Sequence, residues 1–179
     1  MSSGNWVSVS ALYVTPTDRN SPDAWTAEAA TRGRRGTNRI IHAGTVAAPQ
    51  FVARSFGLPD DAEVIARRRL VLLDDEPIEV ATSYYPIEIA ADTALADLGK
   101  IRGGAIRLLA DLGHTAHRVV EEVTSRTPSP VEGDALLLAS DEPVLVIERV
   151  SFNADGAPFQ AEVMAAPAKI RRLRYEMDV

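Results

Sequence analysis

The sequence predicts an α+β fold, a largely antiparallel sheet with short helices packed on it. Three observations lead there. Glu63–Tyr85 and Val144–Ala165 each read as two apolar runs around an Asp-containing turn, the pattern of a β-hairpin, and strands joined by tight turns run antiparallel. Short helix signals are interspersed among these hairpins rather than alternating with single strands, which argues against a parallel sheet. The chain has 179 residues and 46% hydrophobic content, enough for one domain around a substantial core.

The elements follow in order. Trp6 to Val14 reads as an extended arm. Ser21-Pro22-Asp23 has the form of a helix start, with a Ser N-cap, Pro at the first helical position and an acid in the first turn. That helix is expected to run through Trp25 and Ala29 and stop near Gly33. Arg32, Arg34 and Arg35 follow and read as a solvated loop. Asn38–Val46 predicts a strand, and Pro49–Phe56 a short helix closed by Gly57. The Glu63–Tyr85 hairpin turns at Asp74-Asp75-Glu76-Pro77, which lacks Asn-Gly and predicts a loop of about three to four residues. Asp92–Leu98 is weakly helical, and Ala105–Leu112 predicts a helix ending at Gly113. Ala116–Thr124 is strand-like. Ser129-Pro130-Val131-Glu132 is a capping-box start for a helix through Leu136. Val144–Phe152, the turn Asn153–Gly156 and Pro158–Ala165 form the second hairpin, and Leu173–Met177 a last strand.

Several functions are disfavoured. No apolar run approaches the roughly 20 residues of a membrane span, and Met1–Trp6 lacks a signal-peptide pattern, so the expected location is cytoplasmic. The net charge is -6, the opposite of the basic excess typical of nucleic-acid modules. There is no cysteine, hence no disulfide, Cys-ligated zinc or Cys nucleophile. Neither a P-loop nor a Gly-x-Ser-x-Gly elbow occurs. His114 and His117 with Glu121 or Glu122 only imitate a metal site, and a structural role is expected, with no metal and no cofactor. Asp74-Asp75-Glu76 reads as a solvated turn. The basic residues of Lys169–Arg174 split between two faces of an extended segment, which predicts no DNA-binding stripe.

The chemistry concentrates in the first hairpin. Arg67, Arg68 and Arg69 precede Leu70-Val71-Leu72-Leu73. Strand alternation puts Arg67 and Arg69 on one face and Arg68 on the other. At least one guanidinium must therefore enter the core or reach around it. A buried charge needs a partner, either an internal carboxylate or an anionic ligand. Gly103-Gly104 before a helix is an anion-binding geometry or a plain turn. Gln160 and Glu162 share a face. Arg149, on the partner strand, either pairs with Glu162 across the ladder or helps it read a ligand.

Certain short pieces recur in one order. They are Ala48-Pro49 with Phe56-Gly57-Leu58, Arg67-Arg68-Arg69 with Asp74, Pro77 and Ser83-Tyr84-Tyr85-Pro86, and Gly103-Gly104 before a helix ending at Gly113. Pro128, Val144–Arg149, Asp155-Gly156-Ala157-Pro158 and Tyr175-Glu176 complete the set. Over roughly residues 37–177 the chain resembles the UTRA effector-binding domain of the HutC-type branch of GntR-family bacterial transcription regulators. The resemblance implies a chorismate-lyase-like α+β fold, a small-molecule pocket, homodimerisation and a winged helix-turn-helix N-terminal to the domain. Residues 1–36 show no helix-turn-helix pattern. The expected organisation is an arm and short helix over 1–36 and a UTRA-like ligand-binding domain over 37–179, touching DNA only indirectly or through a partner regulator.

The resemblance also implies site residues. Sugar-phosphate-binding members place two arginines at the positions of Arg69 and Val71, and only the first is kept here, with Arg67 on the same face. Their glutamate positions correspond to Ala81 and Gln160, and Gly104 stands where a helix-capping Ser is common. The expected effector is a small polar or anionic metabolite, carboxylate-bearing or more apolar rather than a phosphorylated amino sugar. The expected binding set is Arg67, Arg69, Tyr84, Gly103, Gly104, Arg149, Gln160 and Glu162, with no catalytic residue. Two alternatives stand beside it. One is a lyase-like enzyme on the same fold. The other is a partner subunit that heterodimerises with a full-length regulator through exposed Trp6, Tyr13 and Trp25.

Overall fold

In the computed structural model, which describes residues 6–8, 10–18, 21–139 and 141–175, the first strand and the last one pair with each other, apart from the main sheet. β1 (Trp6–Ser8) lies parallel to β8 (Arg171–Leu173). The main sheet has six strands in the order β2-β3-β4-β7-β6-β5, every neighbour antiparallel. These are β2 (Gly36–Ala47), β3 (Glu63–Leu73), β4 (Glu76–Tyr85), β5 (Arg118–Arg126), β6 (Val144–Phe152) and β7 (Pro158–Pro167). The pairing of β4 with β7 joins the two predicted hairpins into one sheet.

Strand alternation gives the sheet two faces, and helices cover both. On one face Val71, Ala81, Ile147 and Met164 pack under Trp25 and Ala29 of α1 (Ala24–Thr31). Further along, Ile65, Tyr85 and Phe159 pack under Leu95 and under Leu109 of α4 (Gly104–Asp111). The opposite face meets α2 (Gln50–Phe56) through Val52 and Ala53, and α5 (Pro130–Leu136) through Leu136. No helix among the described residues is long and apolar enough to cross a membrane.

Several local expectations are corrected. The first helix is capped by Asp23 and not Ser21: Asp23 Oδ1 accepts from the Thr26 amide at 3.1 Å, which leaves Pro22 outside the helix. The first hairpin turns through Asp74 and Asp75 alone, with φ of 50° and 70°. Aspartate tolerates left-handed backbone better than most residues, and this turn has outside support. Asp74 accepts from the Arg35 amide (2.8 Å) and Arg34 Nε (2.7 Å), and Asp75 accepts from the Arg35 guanidinium. Arg34 and Arg35 therefore hold a hairpin tip rather than a solvated loop.

Residues 92–98 form turns, and the short helix lies earlier, at α3 (Ile87–Ala90) behind Pro86. The Thr93 hydroxyl accepts from the Leu95 amide at 3.1 Å, a local bond that competes with helix. The last strand is Arg171–Leu173, while residues 176 and 177 of its predicted span lie outside the described residues. The N-terminal aromatics are not an exposed set. Trp25 is 6% exposed and its indole donates to the Leu72 carbonyl at 3.0 Å. Tyr13 is half-buried, packs on the same cluster and donates to Glu28. The Trp6 side chain lies outside the described residues.

Candidate functional site

One row of polar residues crosses the sheet in direct register. Arg67 on β3 faces Ser83 on β4, Ser83 faces Glu162 on β7, Glu162 faces Arg149 on β6, and Arg149 faces Glu121 on β5. Arg69 is the next residue of β3 on this face, opposite Ala81. No carboxylate therefore stands across from Arg69 on the second strand, and Glu162 reaches it from β7 instead.

Glu162 is 3% exposed. It accepts from the Ser83 hydroxyl (2.8 Å), Arg149 Nη1 (3.2 Å) and Arg69 Nη2 (3.5 Å). Burial works against its charge, but Arg149, Arg69 and Ser83 together hold its carboxyl below the ordinary value. Arg149 also donates through Nε to Glu121 at 2.7 Å. Burial likewise opposes the charge on Arg149 and Arg69, and in each case the neighbouring carboxylates, Glu162 foremost, prevail and raise the guanidinium's pKa.

Arg67 is 5% exposed and solves its burial differently. It donates to the backbone carbonyls of Ala94, Asp97 and Gly99, the last at 2.6 Å. Here desolvation dominates and pulls the pKa down. The irregular 92–99 segment thus presents its carbonyls to a guanidinium. The three guanidiniums of Arg67, Arg69 and Arg149, with that of Arg171, face three carboxylates, Glu79, Glu121 and Glu162, which leaves one positive charge in excess. Arg69 is the most open of the three, with 26% of its side chain exposed.

Residues from the first and last described segments converge on this row. Ser10 Oγ (2.9 Å) and Tyr175 Oη (3.3 Å) both donate to Glu121 Oε2, and Arg171 pairs with Glu79 at 2.6 Å. Beyond the row, Gln160 and Ser151 face each other in the next register. Buried Tyr85 is beside Ser83, and its hydroxyl makes no well-formed hydrogen bond. Burial pushes this phenol up to about 12.

Of the expected site residues, Arg67, Arg69, Arg149 and Glu162 come together, with Gln160 one register away. Tyr84 does not join them. It lies on the opposite face with Ala66, Val52 and Ala161, near Arg68 and Thr82, and Tyr85 holds the place on the row's face. Arg68 also stays on that opposite face and donates to Thr82 at 3.0 Å. Gly103 and Gly104 both adopt positive φ, 77° and 83°, and the helix start has no side-chain cap. A side chain at Gly104 would come within 3.8 Å of Asp23, so an acidic residue already stands beside that start. Among the described residues no group of three His, Asp or Glu is placed to hold a metal.

Sequence reasoning missed Ser83, Tyr85 and Glu121. Glu121 shares one face of β5 with Val119 and Val123, two residues to either side, a signal that places it on one face but not which partner it meets.

The model of the UTRA domain family matches residues 31–172. The chain belongs to the UTRA family. Its relatives include the uncharacterized HTH-type transcriptional regulator SCO4628 of Streptomyces coelicolor, 35% identical over 130 residues, which are 70% of this chain and 48% of that protein. The HTH-type transcriptional regulator Rv0792c of Mycobacterium tuberculosis is 31% identical over 142 residues, 78% of this chain and 50% of that one. The chain thus spans about half the length of the curated relatives it matches. The effector domain of PhnF from Mycobacterium smegmatis superposes with a TM-score of 0.74 at 16% identity, covering 92% of this chain and 98% of that one. The C-terminal domain of the histidine utilization repressor from Pseudomonas syringae gives 0.67 at 18% identity, covering 81% and 100%. At such identities the likeness shows the fold. A UTRA domain is the ligand-binding part of GntR-type transcription regulators, and here the polar row lies on one face of that domain's sheet.

Proposed function

We propose that this UTRA domain senses a small anionic metabolite at the arginine row and controls transcription without catalysis. What carries the reading is the charge imbalance across the sheet. Arg67, Arg69, Arg149 and Arg171 outnumber Glu79, Glu121 and Glu162 by one, and a monoanion balances the excess. Arg69 is the residue positioned to receive it, being the most open and held to Glu162 by the longest contact, 3.5 Å. An arriving carboxylate takes bidentate hydrogen bonds from Arg69 while Arg149 keeps Glu162 paired. The contacts of Ser10 and Tyr175 with Glu121 put both of their segments within reach of the change. The domain acts in the cytoplasm as a homodimer of the HutC branch. It reaches DNA through a reader domain or a partner regulator, and not by itself.

A thermal-shift screen of small carboxylates, amino acids and phosphosugars tests this. A ligand at about 100 times its Kd adds roughly 2.7 kcal/mol to the folded state, a shift easily read. Small carboxylates are expected to stabilise the protein, and Arg69→Gln to lose that shift relative to its own unliganded Tm. The reading fails if no class stabilises the protein, or if Arg69→Gln responds like the parent.

A further inference from the structure

Arg67 differs from the other arginines of the row in what holds it. Arg69 and Arg149 both reach the Glu162 carboxylate. The hydrogen bonds of Arg67 go only to backbone carbonyls, those of Ala94, Asp97 and Gly99. Burial pulls its pKa down, opposed only in part by the Asp97 carboxylate. The excess charge therefore rests on a buried guanidinium that has carbonyl dipoles in place of a counter-ion. These carbonyls belong to residues 91–103, which connect α3 to α4 without a helix or strand. The first part of the connection is fixed, with Leu95 buried in one cluster with Leu109. The second part is not. From Leu98 to Gly103 no amide donates to a backbone carbonyl among the described residues, and Leu98 is 63% exposed. Arg67 ties this stretch to the sheet through the carbonyls of Asp97 and Gly99. Beyond it, Gly103 and Gly104 take φ of 77° and 83°, which glycine reaches without strain, so the stretch has a hinge at its end.

We propose that Arg67 is a latch: it holds the carbonyls of residues 94–99 in the unliganded domain and releases them when an anion occupies the row. The inference rests on the anion-sensing reading, but its test is separate. Arg67 and Arg69 stand two residues apart on one face, roughly 7 Å, so a carboxylate at Arg69 draws on both. It brings a full opposing charge and two oxygens in the geometry a guanidinium prefers, where a carbonyl brings a dipole. Release frees the connection to swing at its glycines. A side chain at Gly104 would come within 3.8 Å of Asp23, the cap of α1, so α1 feels the movement.

Trypsin reads the latch, because Lys100 is exposed within the connection. Cleavage after Lys100 is followed with acetate, benzoate and inorganic phosphate at fixed ionic strength, beside the Tm, with cleavage after Arg126 as internal control. A ligand that merely stabilises the fold slows every cut that needs opening. The latch predicts the reverse at one site. An anion that raises the Tm speeds the Lys100 cut by roughly tenfold, makes the Arg126 cut no faster, and loses both effects in Arg69→Gln. Arg67→Lys keeps the charge but cannot span three carbonyls, and is expected to speed the same cut with no anion present. The anion arm needs no variant and decides the matter if Arg67→Lys does not fold. An anion that raises the Tm yet slows or spares the Lys100 cut overturns the latch and leaves the sensing reading standing. So does a folded Arg67→Lys cut at the parent's rate. If no anion raises the Tm or changes the cut, both readings fall.

Discussion

Glu162 holds two guanidiniums and a hydroxyl while almost wholly out of water, and the site depends on it. Removing one member of a buried ion pair is far costlier than the pair is worth, because it strands the other charge. Glu162→Gln is therefore expected to destabilise the fold by roughly 3 kcal/mol, measured by urea unfolding. The pH dependence has two limbs. The Glu162 carboxyl is held below its ordinary value in the fold, so its stabilisation is present at neutral pH and is lost as pH falls through that lowered value. The Tyr85 phenol is raised from 10.0 to about 12. Its stabilisation is present below pH 10 and is lost as the pH rises toward 12. Burial also raises Tyr13 and Tyr84, so Tyr85→Phe should make the alkaline limb shallower without abolishing it and leave the acid limb in place, read as unfolding free energy against pH. Part of this arrangement was legible in the sequence. The Asn153–Gly156 turn sets a register that puts Arg149 opposite Glu162. Ser83 and Glu121 were not legible as partners, because they meet Glu162 and Arg149 only when β4 pairs with β7 and β5 with β6, and no local signal specifies those pairings.

At the scale of elements, local chemistry decides the boundaries. The Ser129 capping box forms as its sequence predicts. Ser129 Oγ accepts from the Glu132 amide (3.3 Å), and Glu132 accepts from the Ser129 amide (2.7 Å) and takes a bidentate pair from Arg126. Ser129→Ala is expected to cost about 1 kcal/mol, seen as faster hydrogen exchange in α5. Gly36 shows a constraint of packing rather than of conformation. A methyl group there would stand 2.8 Å from both Ala29 Cβ and Trp25 Nε1. Gly36→Ala should therefore push α1 off β2 and cost about 1–3 kcal/mol, detected as a lower Tm with red-shifted Trp25 fluorescence. The misplaced elements have the same origin as the successes, a competition between local signals. Asp23 caps better than Ser21 because its carboxylate meets the Thr26 amide. The two-residue Asp74-Asp75 turn is held by Arg34 and Arg35, some forty residues away in sequence, whose role no pattern around the turn reveals.

At the scale of the whole molecule, helices cover both faces of the six-stranded sheet, but its two edges, β2 and β5, pair with no further strand of the described chain. β5 also leaves Val120 and Val123 about 40% exposed. An open edge of this length invites a second chain, in keeping with the proposed homodimer. Light scattering after size exclusion should give twice the chain mass, and Val123→Lys should shift it toward one. The fold class was legible because both hairpins announce themselves locally. The union of the hairpins through β4 and β7, which builds the site, was not.

The central claim is that an effector binds over the Arg69–Glu162–Arg149 face and is felt at the segments that hold Ser10 and Tyr175. Hydrogen exchange with and without a saturating carboxylate that stabilises the protein tests it most directly. Protection concentrated in residues 79–85 and 158–164, with altered exchange in residues 10–18, is the predicted result. Protection confined to α2 and α5 on the opposite face, with residues 10–18 unchanged, would contradict the account.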